Sequence, residues 1–468
     1  MKYRSIITFF IILFICCFDS YSQLLDSAEL SRKQIYNSLE IASANPDNVY
    51  VLDLSGKGLS ELSISIAKFK NLQKLSLTRN HLKMLPAEIG KLTYLQELNI
   101  TNNELSKLPS EIGNLTNLTV LMAGGNKLIE LPSEIGKLVR IKWLDLSSNK
   151  LKAVPNEIGK LTQLRALQLI NNFIKELPEG ITELSNLKIL DLRENKLLSL
   201  PARIGKLNKL EQLYLGGNLL SVIPGEIGNC TSLRDLDFAS NKISSIPPSI
   251  GRLKYLETFE ISDNLLTHLP DEICDLDSLT SLGISNNKLS SIPQRIGNLK
   301  KLEAIQADRN LFIKLPIEIV KLDHLGTVDF SQNQIMEIPS VFCKNSFLQL
   351  NLEKNRITKL PREIGEMKLL FNLNLSNNLL TEIPSEIGEL ENLEDFILSN
   401  NKIFSLPAQI GNLKKLKLID LSNNKLTSLP KEMENLKDLE VIELKRNKVP
   451  ESEIQFLKSK IKDLEIRY

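Results

Sequence analysis

"LPSEIG" fills residues 108–113 and returns unchanged at 131–136, and "IPSEIG" follows at 383–388. The first two are 23 residues apart, and the step from 131 to 383 is 252, one residue short of eleven such periods. A period, not a pocket-enclosing domain, is therefore the unit of this chain. Aligning on asparagine gives 80, 103, 126, 149, 172, 195, 218, 241, 264, 287, 310 and 333, then 355, 378, 401, 424 and 447. Of these sixteen steps fifteen are 23 residues, and 333 to 355 is 22. Lys57 fills the slot one period before Asn80, so about 18 copies begin near Val49.

Each copy reads LxxLxLxxNxLxxLPxxIGxL, as in Leu72, Leu75, Leu77, Asn80, Leu82, Leu85, Pro86, Ile89, Gly90 and Leu92. Leu75 and Leu77 alternate with Lys74, Ser76 and Thr78, the period-two pattern of a short strand with one face inward. Copies stacked in parallel lie about 4.8 Å apart and complete one another's hydrogen bonds, so no copy folds alone. Each inward slot contributes about 1.5–3 kcal/mol when buried, and the copies share one continuous core. The recurring Asn ends the strand, where its amide is expected to satisfy backbone groups of adjacent turns. Sixteen of the nineteen prolines stand six residues after the Asn, fixing φ where the chain leaves the strand. The Gly of the IG pair is expected to permit a positive φ in the return. A 23-residue coil leaves no room for a long outer helix, so single turns or short 3-10 pieces are expected there.

These slots resemble the leucine-rich repeat family, and the LPxxIGxL variant resembles the one found in exported proteins of spirochaetes and in eukaryotic Ras-pathway scaffolds. The resemblance covers about 400 residues. It implies an α/β solenoid: a leucine-rich repeat horseshoe with a parallel β-sheet on the concave face, 3-10 or helical turns on the convex face, and a helical cap at each end. It also implies bacterial export and engagement of host proteins, including adhesion.

An open stack exposes its core at both ends and needs caps. Residues 26–43 carry Leu30, Ile35, Tyr36, Leu39 and Ala42 as one apolar side of an expected helix, within an N-terminal cap over 23–48. The repeat array spans 49–449. At the other end Ile454, Leu457 and Ile461 line one side of a helix after Pro450, before a strand-like LEIRY, making a cap over 450–468. The missing residue between Pro339 and Leu350 is expected to change the local twist.

MKYRS followed by the 13-residue apolar run IITFFIILFICCF reads as a secretory leader over 1–22, cleaved between Ser22 and Gln23. A membrane-spanning helix needs about 20 apolar residues, so none is expected after leader removal. Lipid attachment at Cys16 or Cys17 is disfavoured because Ile15 and Cys16 precede them. Cys230, Cys274 and Cys343 remain, an odd number from which no disulfide framework follows. The chain holds 58 Lys+Arg against 56 Asp+Glu without a contiguous basic run, so no nucleic-acid partner is expected.

No catalytic constellation is found. His81, His268 and His324 occupy different copies, with no metal-ligand spacing, phosphate loop or nucleophile motif. Neither an enzyme nor a cofactor is expected, and the roughly twenty residues after Asn447 leave no room for a catalytic domain.

Packing dictates the inward slots, so partner choice falls to the outward strand positions, six, four and two residues before each Asn. Copies four to eight present Val120, Met122, Trp143, Ile170, Ile189 and Tyr214 there, with Asp145, Asp191, Arg193 and Asp237 at the edges. Trp143 is the only Trp, and repeat packing does not call for it. An aromatic anchor ringed by polar groups suits a protein-binding site. A competing reading makes these side chains cross-strand packing alone. Ile397, Leu418 and Val441 form a second candidate. The function expected is a monomeric, secreted or cell-surface scaffold for a protein partner. The alternative is an intracellular or periplasmic scaffold regulating a GTPase or phosphatase.

Overall fold

The computed structural model describes residues 24–468; the expected leader lies outside them. The chain forms two compact units that divide after Leu219. In the first, strands from Ile35–Tyr36 through Gln212–Tyr214 pair in parallel. Leu75, Leu98, Leu121, Leu144, Leu167, Leu190 and Leu213 stand opposite one another in register and are buried. In the second, strands from Asp235–Asp237 through Val441–Glu443 do the same, followed by Glu465–Arg467. Apart from the two-residue Ile35–Tyr36, each strand is three residues long with its middle side chain inward, and in the repeats the next inward side chain falls just beyond the strand's end, as Leu144 and Leu146 in Trp143–Asp145. Opposite the strands lie five-residue 3-10 helices such as Ser133–Lys137. Pro132 enters that helix at φ −67°, and the Leu138 N–H closes it on the Ile135 carbonyl.

The asparagines tie successive copies together. Asn149 Nδ2 donates to the carbonyls of Ala123 and Leu146, both at 3.0 Å, and its Oδ1 accepts from the Leu128 N–H at 3.0 Å. One amide thus joins its own copy to the one before. The residue preceding each Asn adopts the left-handed conformation, for example Ser148 at φ 53° and Glu194 at φ 55°. Gly125 and Gly217 fill that position without a steric cost.

The glycine of the IG pair has a different role from the one its position suggests. Among these glycines none has a positive φ. What requires Gly is the approach of the next coil: a Cβ on Gly136 would lie 2.6 Å from the Glu157 carbonyl oxygen, a backbone atom that cannot swing away. Gly225, at the start of its 3-10 helix, meets nothing nearer than Ser249 Oγ at 3.9 Å. Gly136→Ala is therefore expected to cost about 1–3 kcal/mol through overpacking, and Gly225→Ala about nothing. Urea midpoints for the two variants check this; equal midpoints would remove the close-approach explanation.

The 22-residue copy keeps its strand pairing, with Val328 opposite Leu350. The shortening falls at Asn345, which stands where other copies place Leu322 or Met367 after the 3-10 helix. Its amide is buried and directed at the carbonyls of Ile319, Val320 and Leu322 in the preceding copy. Phe342 and Phe347 fill the remaining space, their ring centroids 5.1 Å apart.

The N-terminal cap is helical, but not as one helix over 26–43. Helix α1 (Ser27–Ser31) is started by a capping box between Asp26 and Glu29, and helix α2 (Leu39–Ser43) by Ser38. Between them Ile35–Tyr36 pairs with Val51 and Leu52. The strand edge thereby gains hydrogen bonds that a continuous helix would leave unmade. Leu25 is held at its N–H by Gln73 Oε1 at 2.8 Å and at its carbonyl by Gln96 Nε2 at 2.7 Å. At the other end helix α3 (Glu451–Lys460) buries Ile454 and Leu457, and Arg467 bridges Glu443 and Glu465 at 2.6 Å each. Cys230, Cys274 and Cys343 are buried, which pushes their thiol pKa values up to about 12, 11 and 12.

Candidate functional site

In the first unit the strand Trp143–Asp145 lies between Val120–Met122 and Ala166–Gln168. Register alone assembles one apolar row, Val120, Trp143, Ala166 and Ile189, each opposite the next. Trp143 is 39% exposed at the middle of that row, Val120 and Ile189 are half-buried, and Ala166 is buried. A second row runs Met122, Asp145, Gln168, Asp191 and Tyr214. Ile170 follows its strand and is half-buried. Asp145 accepts the Ser147 N–H at 2.9 Å and leans over Gly124, where a Cβ would come within 3.1 Å of its Oδ2. The small residue is what lets the carboxylate lie flat.

Asp191 and Arg193, which the residue pattern suggests only as edge groups, form a closed unit. Asp191 is buried, and Arg193 grips it with Nε on Oδ1 at 3.0 Å and Nη2 on Oδ2 at 2.6 Å. The guanidinium carbon lies 4.9 Å from the Tyr214 ring centroid. A forked ion pair on one side and an aromatic ring on the other hold one arginine in one orientation, a preorganised binding group. Asp191→Ala removes both bonds and releases the stacked cation. It is expected to cost about 1–3 kcal/mol by urea unfolding, the worth of charge-assisted bonds. Arg193→Ala, which leaves the buried carboxylate unpaired, should cost at least as much.

Asp237 belongs to the second unit, where it is half-buried and accepts the Ala239 N–H at 2.8 Å. The second candidate falls on a depression of about 570 Å³ in that unit. Ile397 and Leu418 line it, with Asp420, Glu443, Lys445 and Arg446 around them; Val441 is not part of the lining. Among the described residues no cluster of three or more His, Cys, Asp or Glu is placed to hold a metal ion. Nor is any helix among them long and apolar enough to cross a membrane.

One feature escapes a search for contiguous charge. Immediately before the apolar row, Lys142, Arg165 and Lys188 stack on one another: Arg165 N–H bonds the Lys142 carbonyl at 2.9 Å, and Lys188 N–H the Arg165 carbonyl at 2.8 Å. They are 23 residues apart in the chain and adjacent in space. Reading every seventh residue before the Asn down the period finds them.

Comparison with known proteins accords with this architecture. Models described as leucine-rich repeat region match residues 46–148, 156–242 and 225–310, and one described as leucine rich repeat matches 391–449. No curated protein matches the chain. A solved leucine-rich repeat protein of the spirochaete Leptospira interrogans is 36% identical, covering 93% of this chain and 100% of its own, at a TM-score of 0.74. The Arabidopsis receptor kinase HAESA, solved with the peptide hormone IDA and the co-receptor SERK1, is 26% identical over 86% of this chain and 79% of its own, TM-score 0.55. The functional domain of InlJ from Listeria monocytogenes shares the fold at 24% identity, covering 75% and 74% of the two chains, TM-score 0.63. The chain belongs to the leucine-rich repeat family.

Proposed function

We propose that this scaffold is exported and binds a partner protein across the sheet face of the copies that carry Trp143. Leucine-rich repeat proteins are protein-interaction scaffolds, and the finer reading rests on one observation. The sole tryptophan stands 39% exposed in a row of apolar side chains, on a face where the period imposes no apolar residue. Binding energy concentrates on such anchors when polar groups surround them. Asp145, Gln168 and the Asp191–Arg193 pair supply that surround. The HAESA complex supports the idea that stacked repeats can carry a peptide and a second protein. Export follows from the leader pattern, and the resemblance to exported spirochaete proteins makes host surface proteins the partners to seek first.

The test uses the mature chain as bait. A partner captured by the intact protein is titrated against the Trp143→Ala/Tyr214→Ala variant, whose affinity should fall sharply. Mass spectrometry of the protein from its native cells should give a first peptide starting at Gln23. A first peptide at Met1 would end the export part, and equal affinities the binding part.

A further inference from the structure

The coil leading into Trp143 carries Lys137, Arg140 and Lys142, and the coil leading into Ala166 carries Lys160 and Arg165. All five are exposed, and among the described residues none is ion-paired; Arg140 donates to the Asn117 side-chain oxygen at 2.6 Å. Glu134 and Glu157 lie half-buried on the 3-10 helices that end at Lys137 and Lys160, and at the positions of the five cations themselves carboxylates enter only in the following coils. There they are already engaged: Glu183 by Lys206 at 2.7 Å and Glu211 by Lys188 at 2.6 Å. In the second unit Arg234 is bound to Glu257, Lys254 to Asp277 and Arg295 to Asp275, while Lys300 and Lys301 carry no ion pair among the described residues. Beside the tryptophan, then, Lys142 and Arg165 are stacked cations without an ion-pair partner among the described residues.

Position makes this more than a solvated edge. Lys142 and Arg165 stack at the strand spacing of about 4.8 Å and directly precede Trp143 and Ala166. Cations and apolar row are therefore two parallel tracks, one just before the strands and the other on their first residues. We propose that the partner presents an acidic polypeptide segment, its carboxylates on the Lys142–Arg165 edge and its apolar side chains on the row through Trp143. This rests on the sheet-face reading above and names the partner's chemistry. Each exposed charge pair is weak, but complementary rims raise the association rate and reject partners of the wrong sign. A nucleic acid or sulfated polysaccharide would meet the cations and leave the aliphatic members of the row, Val120, Ala166 and Ile189, unfilled.

The experiment uses the full mature chain and a fluorescent peptide of repeating Glu-Glu-Phe-Leu. A Gln-for-Glu version, polyglutamate, heparin and a single-stranded oligonucleotide are the comparison probes. The acidic peptide should bind with an affinity that falls as salt screens the pairs. Lys142→Glu/Arg165→Glu should weaken it about tenfold or more, as should the Gln-for-Glu exchange. Lys300→Glu/Lys301→Glu on the second unit's flank should change it less than about twofold. Three results overturn the proposal: no binding of the acidic peptide by the intact chain, indifference to the Lys142/Arg165 reversal, or equally tight binding of heparin, oligonucleotide or polyglutamate that ignores Trp143→Ala. Loss with Trp143→Ala but not with charge reversal would sink the acidic preference and keep the sheet-face site. Loss with charge reversal alone would sink the sheet-face site.

Discussion

Asn172→Ala should strip protection from the Leu151 amide and destabilise the first unit by about 2–4 kcal/mol, the largest stability effect expected of one polar side chain here. The side chain is 2% exposed. Its Oδ1 accepts the Leu151 N–H at 3.0 Å, and its Nδ2 donates to the carbonyls of Leu146 and Leu169 at 3.0 Å. The losses are unequal. Leu146 O keeps the bond from Asn149, and Leu169 O keeps the one from Asn195, so each carbonyl retains a partner. The Leu151 N–H keeps none among the bonds described, and an orphaned buried donor carries the full cost of its desolvation. Asn172→Asp should be worse at neutral pH, because a carboxylate would face two carbonyl oxygens inside the core. Burial and those oxygens raise such a carboxyl's pKa in the folded state. Its stability is therefore greatest below the unfolded value near 3.9 and is lost as pH rises through the folded value. Amide exchange at Leu151 is the measurement to make, since opening in a stack is local and a single global midpoint would average it away. Undiminished protection in the alanine variant would deny the asparagine its bridging role.

The same ladder explains how far sequence alone reaches. Inward slots, asparagines and prolines are legible because each repeats one physical demand at one spacing, so Leu144 and Asn149 can be placed from their neighbours in the period. The glycines mislead: Gly136 is required by the backbone of Glu157 in the next coil, a contact between copies that no single copy contains. Residues 26–43 mislead for a similar reason. Their helical apolar spacing is overridden where Ile35 and Tyr36 complete the strand Val51–Asp53. At the candidate site the exposure of Trp143 follows from strand alternation. The Arg193 clamp does not, because it depends on Asp191 being buried and on Tyr214 standing one strand away. The cation edge is written in the chain but at intervals of 23 residues, so it appears only when the period is read as a spatial neighbourhood.

That neighbourhood sets the second large effect, on affinity instead of stability. Trp143→Ala is expected to weaken the partner complex by at least about 2 kcal/mol, roughly thirtyfold, because a central aromatic gives up contact area and water exclusion together. Folding should be almost untouched, within about 0.5 kcal/mol, since 39% of the residue already faces solvent. Its backbone bond to the Thr119 carbonyl survives any substitution. Trp143→Phe should recover part of the loss by refilling the gap between Val120 and Ala166. Tyr214→Ala is a different operation: it withdraws the ring beneath Arg193 and should act partly through the disordered guanidinium, so its effect should shrink when Arg193 is also removed. Calorimetric titration of these variants against one partner, with Arg193→Ala alone as the reference for the double variant, separates these contributions. A Trp143→Ala affinity equal to that of the parent would leave the apolar row as cross-strand packing and move the binding surface elsewhere on the stack.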